Sequence, residues 1–321
     1  MSVSYGRERQ LLEYMSASLG DGRTFFVTPY GYSRSGAFMQ SIAGKGPGMV
    51  FTSVDGALAA CTSGRGDRVF LLPGTHEIGS EVYINASDVT LMGSGSNRTF
   101  ISAPNGEKGS NLIRVAANGC TIQDICFKPI MSDESTAANG YRFDECSNFG
   151  INIVGAQHTT IKNCSFIDAG SDDDGYTSGV NIETGSKYVL IEDCDFLYLY
   201  REAINLHCQG SGISTVTIRR CHLKGKKGAI TAHDGLTSAA SSGTVESLNI
   251  YDCVLYDSDS GGQVLLALDQ TDGGPSAYQG CSIMNCHIGL AENASGDLDL
   301  NSSFALAGLV TKEGLSTGAP D

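Results

Sequence analysis

The sequence predicts an all-β fold built as a solenoid of stacked parallel strands, and three observations carry that prediction. A hexamer opening on Ile occurs six times, as IQDICF from 122, IKNCSF from 161, IEDCDF from 191, IRRCHL from 218, IYDCVL from 250 and IMNCHI from 283. Between its copies a second short segment recurs, GINI from 150, GVNI from 179, AINL from 203, AITA from 229 and, more loosely, VLLAL from 264. The composition agrees: 41 glycines, no tryptophan and only 17% charged residues suit short strands and tight turns better than a helical bundle. A period near thirty residues with variable insertions is the mark of coils stacked along one axis. Such growth in one dimension lets 321 residues share a continuous core.

Taken in chain order, residues 1–50 read as an N-terminal arm. RQLLEYM at 9–15 has the spacing of a short amphipathic helix, and the Gly/Ser-rich SRSGAFMQSIAGKGPG reads as an extension. Residues 51–289 form the solenoid, about seven coils, and the small, polar segment 290–321 is a C-terminal cap or tail. Each coil contributes the G-I-x-I strand, the Ile strand, a bend at the Asn/Asp position, and the Cys-x-Phe strand. Stacking places like residues over like, roughly 4.8 Å apart. The fourth hexamer position reads Ile125, Cys164, Cys194, Cys221, Cys253 and Cys286. Ile125 shows that the place requires a compact apolar side chain and no sulfur chemistry. The odd total of 11 cysteines fits free thiols packed as small apolar groups.

The I-x-[ND]-C-x-F…G-I-x-I repeat resembles the right-handed parallel β-helix of the pectate-lyase-like superfamily. FTSVDGALAAC from 51, followed by GDRVFLLPGTHEI from 66, resembles the short capping helix, first strand and PGT turn that open such helices. The resemblance covers about 49–289, and it implies the fold more than any one activity, since this architecture carries polysaccharide lyases, glycosidases and phage spikes. The GRGD at 64 leads straight into the first strand and reads as a turn.

Candidate chemistry falls on the face of the G-I-x-I strand opposite its apolar residues. Alternation turns Asn152, Asn181, Asn205 and Thr231 outward as one column, and Val154, Glu183, His207 and His233 as the next. Carboxylate and imidazole at about 5 Å spacing suit acid–base work. The bland alternative is that stacked asparagines satisfy one another's amides. Insertions at 128–149, 167–178, 233–247 and 268–280 flank this face and make it a cleft with acidic walls. Hydrolysis of a neutral glycan would use Glu183 or Asp174 with Asp234 or Asp269 as second carboxylate. Uronate elimination would use Arg201, Lys226 or Lys227. No cofactor is expected; Asp172 and Asp174 of the SDDDG run are the candidate calcium ligands, although the run lacks the alternating spacing of a calcium loop. The arginine-containing motif of polygalacturonases is missing, and AHDG from 232 and QTDGG from 270 match their acidic motifs only faintly.

A formal charge of −14 and the lack of a basic stripe argue against nucleic acid as a partner. The opening MSVSYGRERQ lacks a secretory pattern, no apolar run is long enough to span a bilayer, and synthesis in a reducing host cytoplasm is expected. FFVTPYGY, GKGPGMVFTSV and GRGDRVFLLPGTHE resemble segments of bacteriophage structural β-helix proteins. That resemblance implies a virion component, a head decoration or tail or spike part. It would contact other virion proteins through its arms and assemble as a homotrimer, with a host surface glycan as a further partner. The alternatives are a carbohydrate-active enzyme, lyase or glycosidase, and a glycan-binding adhesin without turnover.

Overall fold

The computed structural model describes residues 22–29, 49–102, 111–128, 148–167, 177–199, 202–208, 211–225, 228–233, 243–257, 266–268, 277–289, 298–300, 305–307 and 310–311. The strands form three sheets of 12, 9 and 8 strands. Successive coils contribute one strand to each, and the pairs between coils are parallel and in register, as in Ile122 with Ile161, Ile161 with Ile191 and Ile191 with Ile218. We name the sheets after their repeating residue. The Ile sheet is the largest, the Phe sheet follows the bend, and the Asn sheet carries the G-I-x-I strands.

The Ile, Cys and Phe positions all point into one core, with Ile161, Ile191, Ile218, Phe166 and Phe196 fully buried. The bend expected at Asn/Asp is a left-handed residue at Asp124, Asn163, Asp193, Arg220, Asp252 and Asn285, with φ between 51° and 61°. Asn and Asp tolerate that conformation because their side chains compensate locally; Arg220 occupies it without that help. A second left-handed column, between the Asn and Ile sheets, runs through Asp88, His158, Tyr188, Thr215 and Ser247. Each buried thiol of the cysteine column donates weakly to the carbonyl of an Ile one coil below, Cys194 Sγ to Ile161 O at 3.8 Å and Cys221 Sγ to Ile191 O at 3.7 Å. All ten described cysteines are free. Burial pushes the Cys126 thiol up to about 11, which makes it a poor nucleophile.

The glycine that opens G-I-x-I faces the Phe ring of its own coil. A Cβ on Gly150 would lie 2.8 Å from Phe166 Cδ1, and one on Gly179 would lie 2.4 Å from Phe196 Cδ1. The absent methyl makes room for a stacked ladder, Phe127 on Phe166 at 5.1 Å and Phe166 on Phe196 at 4.5 Å. In the next two coils the same places hold Ala203 with Leu223 and Ala229 with Leu255, all fully buried. A larger partner on one strand goes with a smaller one on the other, which keeps the coil cross-section constant.

Within FTSVDGALAAC the helix Val54–Ala59 is capped by Ser53, whose Oγ accepts from Gly56 N at 3.2 Å. It buries Val54, Ala57 and Leu58 against the first coils and closes that end of the core. The GRGD turn is structural. Asp67 is fully buried and accepts from Arg65 and from the backbone N–H groups of Arg23 and Thr62. Burial alone would push its carboxyl up, but Arg65 and the two backbone donors outweigh it and hold it below the usual carboxylate range.

The solenoid extends past 51–289 at both ends. Thr24–Val27, within the segment expected as an arm, pairs with Arg68–Leu71, and Leu298–Leu300, Ala305–Ala307 and Val310–Thr311 each continue a sheet beyond residue 289. RQLLEYM and SRSGAFMQSIAGKGPG lie outside the described residues. Among the described residues no helix is long and apolar enough to cross a membrane.

Candidate functional site

The Asn sheet positions the candidate site. Ile151 and Ile153 point into the core, so Asn152 between them points away from it. Parallel register then aligns Asn152, Asn181, Asn205 and Thr231 on consecutive coils, and Glu183, His207 and His233 two residues further along.

The asparagines differ from the expectation of solvent-facing ligand-binding groups. Asn152, Asn181 and Asn205 are only 4%, 3% and 3% exposed, and they bond one another. Asn205 Nδ2 donates to Asn181 Oδ1 at 2.8 Å, and Asn181 Nδ2 to Asn152 Oδ1 at 3.0 Å. Thr231 Oγ1 donates to Asn205 Oδ1 at 3.2 Å. Identical amides one strand spacing apart in parallel register form such a ladder because each oxygen meets the next N–H at bonding distance. The three amides are therefore supports, not ligand contacts.

The ladder ends on a carboxylate. Asn152 Nδ2 donates to Glu183 Oε1 at 2.7 Å. Thr231, Asn205 and Asn181 thus each donate one coil back, and Asn152, the last donor, turns forward again to hold Glu183 on the strand of Asn181. Among the described residues Glu183 receives no other side-chain hydrogen bond, and it stays partly exposed. His207 is its in-register neighbour one coil on and is also partly exposed; His233 is the next strand position. Two of the three residues in the second column therefore place a supported carboxylate next to an imidazole that is partly exposed, with its Nε2 buried.

Asp172, Asp174, Arg201, Lys226, Lys227, Asp234 and Asp269 lie outside the described residues, and with them the proposed second carboxylate, the uronate cation and the calcium pair. Among the described residues no group of three or more His, Cys, Asp or Glu is placed to hold a metal ion.

Sequence reasoning missed the continuation of the asparagine column toward the first coils. Arg114 pairs with Asn152, and Tyr83 with Arg114. The Arg114 guanidinium lies 5.9 Å from the centre of the Tyr83 ring and 3.9 Å from Glu81, and Asn111 Nδ2 donates to Glu81 at 2.6 Å. A hydrogen bond to the Glu81 carboxylate pushes the Tyr83 phenol up. The signal was present, since V-Y-I at 82–84 and I-R-V at 113–115 alternate like I-N-I. Neither segment carries the Gly or Ala that marks the later copies.

The comparisons with known proteins agree with this architecture. The pectin methylesterase PemA from Erwinia chrysanthemi is similar in structure, with a TM-score of 0.53, 14% identity, and coverage of 92% of this chain and 91% of that one. The pectin methylesterase from Yersinia enterocolitica is similar at a TM-score of 0.52 and 16% identity, over 84% of this chain and 92% of that one. No curated protein matches the sequence. At these identities the shared property is the fold. The family model for a right handed beta helix region matches residues 79–270, more than half of the chain, and together with the three parallel sheets that match makes this protein a member of the right-handed β-helix family.

Proposed function

We propose that this β-helix acts on a polysaccharide held along the outer face of the Asn sheet, with Glu183 as its acid–base residue and His207 as the neighbouring proton carrier. The observation that carries the reading is the ladder of donors that starts at Thr231 and ends on Glu183. A purely structural amide stack has no need to end on a partly exposed carboxylate beside an imidazole. Here the terminal N–H fixes Oε1, which leaves the other oxygen to exchange a proton with a bound molecule. The fold that the two pectin methylesterases share with this chain supports a polysaccharide as substrate class by analogy alone. A solenoid face offers equivalent positions at every coil, which suits a polymer.

The test incubates the full chain with neutral and uronic polysaccharides and follows new reducing ends, unsaturated products and released methanol. Turnover of at least one polymer is expected, falling about 100-fold or more in Glu183→Gln, the range for loss of general acid–base catalysis. Turnover that survives Glu183→Gln removes the assigned role. Binding without turnover favours an adhesin. Neither binding nor turnover overturns the polysaccharide reading and favours the virion component, for which residues 1–50 would be the contact segment.

A further inference from the structure

The left-handed corner between the Asn and Ile sheets holds an exposed aromatic pair. His158 and Tyr188, on successive coils, stack with ring centres 4.6 Å apart and planes 7° from parallel. Backbone bonds tie this corner coil to coil, Asp88 N to Asn118 O, Gly119 N to Gln157 O and His158 N to Lys187 O. His158 has φ 58° and Tyr188 φ 56°, a conformation that bulky side chains rarely adopt. It costs each of them about 1–2 kcal/mol. The fold does not need rings there, because Thr215 and Ser247 fill the equivalent positions at φ 56° and 55°. Yet Tyr188 is 49% exposed, one of two exposed large hydrophobic side chains among the described residues.

On the Thr215 side the next residue carries no ring, and on the other side stands Gly119. A Cβ on Gly119 would lie 2.2 Å from Asp88 Oδ1, so the Asp88 carboxylate reaches to the glycine backbone. From Asp88 to His158 is two coil spacings, about 10 Å. The corner therefore reads, in order, the Asp88 carboxylate filling the side-chain place of Gly119 and, from the next coil on, two stacked rings.

We propose that this corner binds a neutral polysaccharide, the C–H face of one pyranose lying across the exposed outer edges of the stacked His158 and Tyr188 rings and its hydroxyls donating to Asp88. Aromatic rings offer an apolar surface at low entropic cost, and a carboxylate accepts hydrogen bonds but donates none. A pyranose presents that pairing, an apolar face with hydroxyl donors at its rim. The chain's formal charge of −14, with Asp88 in the site, disfavours an acidic glycan. The proposal does not depend on Glu183, which lies on another face.

Affinity electrophoresis of the full chain in gels containing hydroxyethylcellulose, galactomannan or polygalacturonate tests it. Retardation by a neutral polymer is expected, with Tyr188→Ser binding about tenfold more weakly, equivalent to about 1.4 kcal/mol. Tyr188→Phe, which keeps the ring, should bind as the parent does. Serine is the residue the fold already places at this corner in Ser247, so unchanged thermal melting of Tyr188→Ser separates lost binding from lost folding. The proposal is overturned by no retardation with either neutral polymer, by retardation with polygalacturonate alone, or by full binding in Tyr188→Ser, which moves the contact to another face. Competition by arginine methyl ester but by no sugar would show a site for planar cations instead.

Discussion

Two buried columns run along the solenoid, one of cysteines through five coils and one of asparagines through three, and they are built on different principles. The cysteine place accepts Ile125 in one coil and sulfur in the next five, with every occupant at most 1% exposed. What the coils share there is volume. The asparagine column is equally inaccessible, but each member both accepts from the coil above and donates to a partner of its own. What the coils share there is bonding with a direction. A column of volume tolerates exchange, whereas a column of paired donors and acceptors does not.

The largest effect should therefore come from Asn181→Leu. It strands Asn205 Nδ2 on one side and Asn152 Oδ1 on the other, and two buried polar groups left without partners should cost about 3 kcal/mol. A urea titration measures this through its midpoint. A loss below about 1 kcal/mol would mean that the ladder is relaxed and that the contrast between the columns fails.

Gly150→Ala should come next, at about 2 kcal/mol, because a methyl there meets Phe166 and the Gly179 carbonyl within 3.0 Å. The complementary sizes seen in Ala203 with Leu223 predict coupling. Adding Phe166→Leu to Gly150→Ala should cost less than the two changes summed, as a double-mutant cycle reads directly. Strict additivity would break the argument from cross-section.

Cys194→Val should cost about 1 kcal/mol or less, since it keeps shape and loses only a weak S–H bond. The native thiols should also resist a thiol reagent until the protein unfolds. A hydrogen bond with Cys221 contributes most to pushing Cys253 up to about 12, and burial adds to it.

The smallest effect is a pH dependence from outside both columns. His76 is buried, its Nε2 2.8 Å from Leu72 O, and burial holds its imidazole below the ordinary 6.5. A depressed folded value means that stability is fully present above about pH 6.5 and declines as pH falls toward the folded value. The urea midpoint should drop between about pH 7 and pH 5 in the parent and stay flatter in His76→Gln.

The cysteine column was legible because one residue type recurs at one place in each coil, and its lone exception, Ile125, named the requirement. The bend was legible at Asn163 and Asp193 for the same reason. The second left-handed corner was not, since His158, Tyr188, Thr215 and Ser247 share a backbone conformation and no side-chain chemistry. Alternation gave the outward direction of Asn152 but not its burial, because period two reports which face a residue occupies and says nothing of what lies over that face. The bond from Asn152 to Glu183 joins residues 31 apart in sequence and diagonal on the sheet, a relation no local pattern encodes.

The ladder also has an electrical meaning. The Thr231 hydroxyl and the Asn205 and Asn181 amides are small dipoles that donate the same way, so their fields add, as peptide dipoles do along an α-helix. Their positive end meets Asn152, which turns its own N–H back to the Glu183 carboxylate one coil on. The carboxylate therefore sits beside a row of aligned dipoles that reaches two coils further, and a proton arriving at it or leaving it would feel their field.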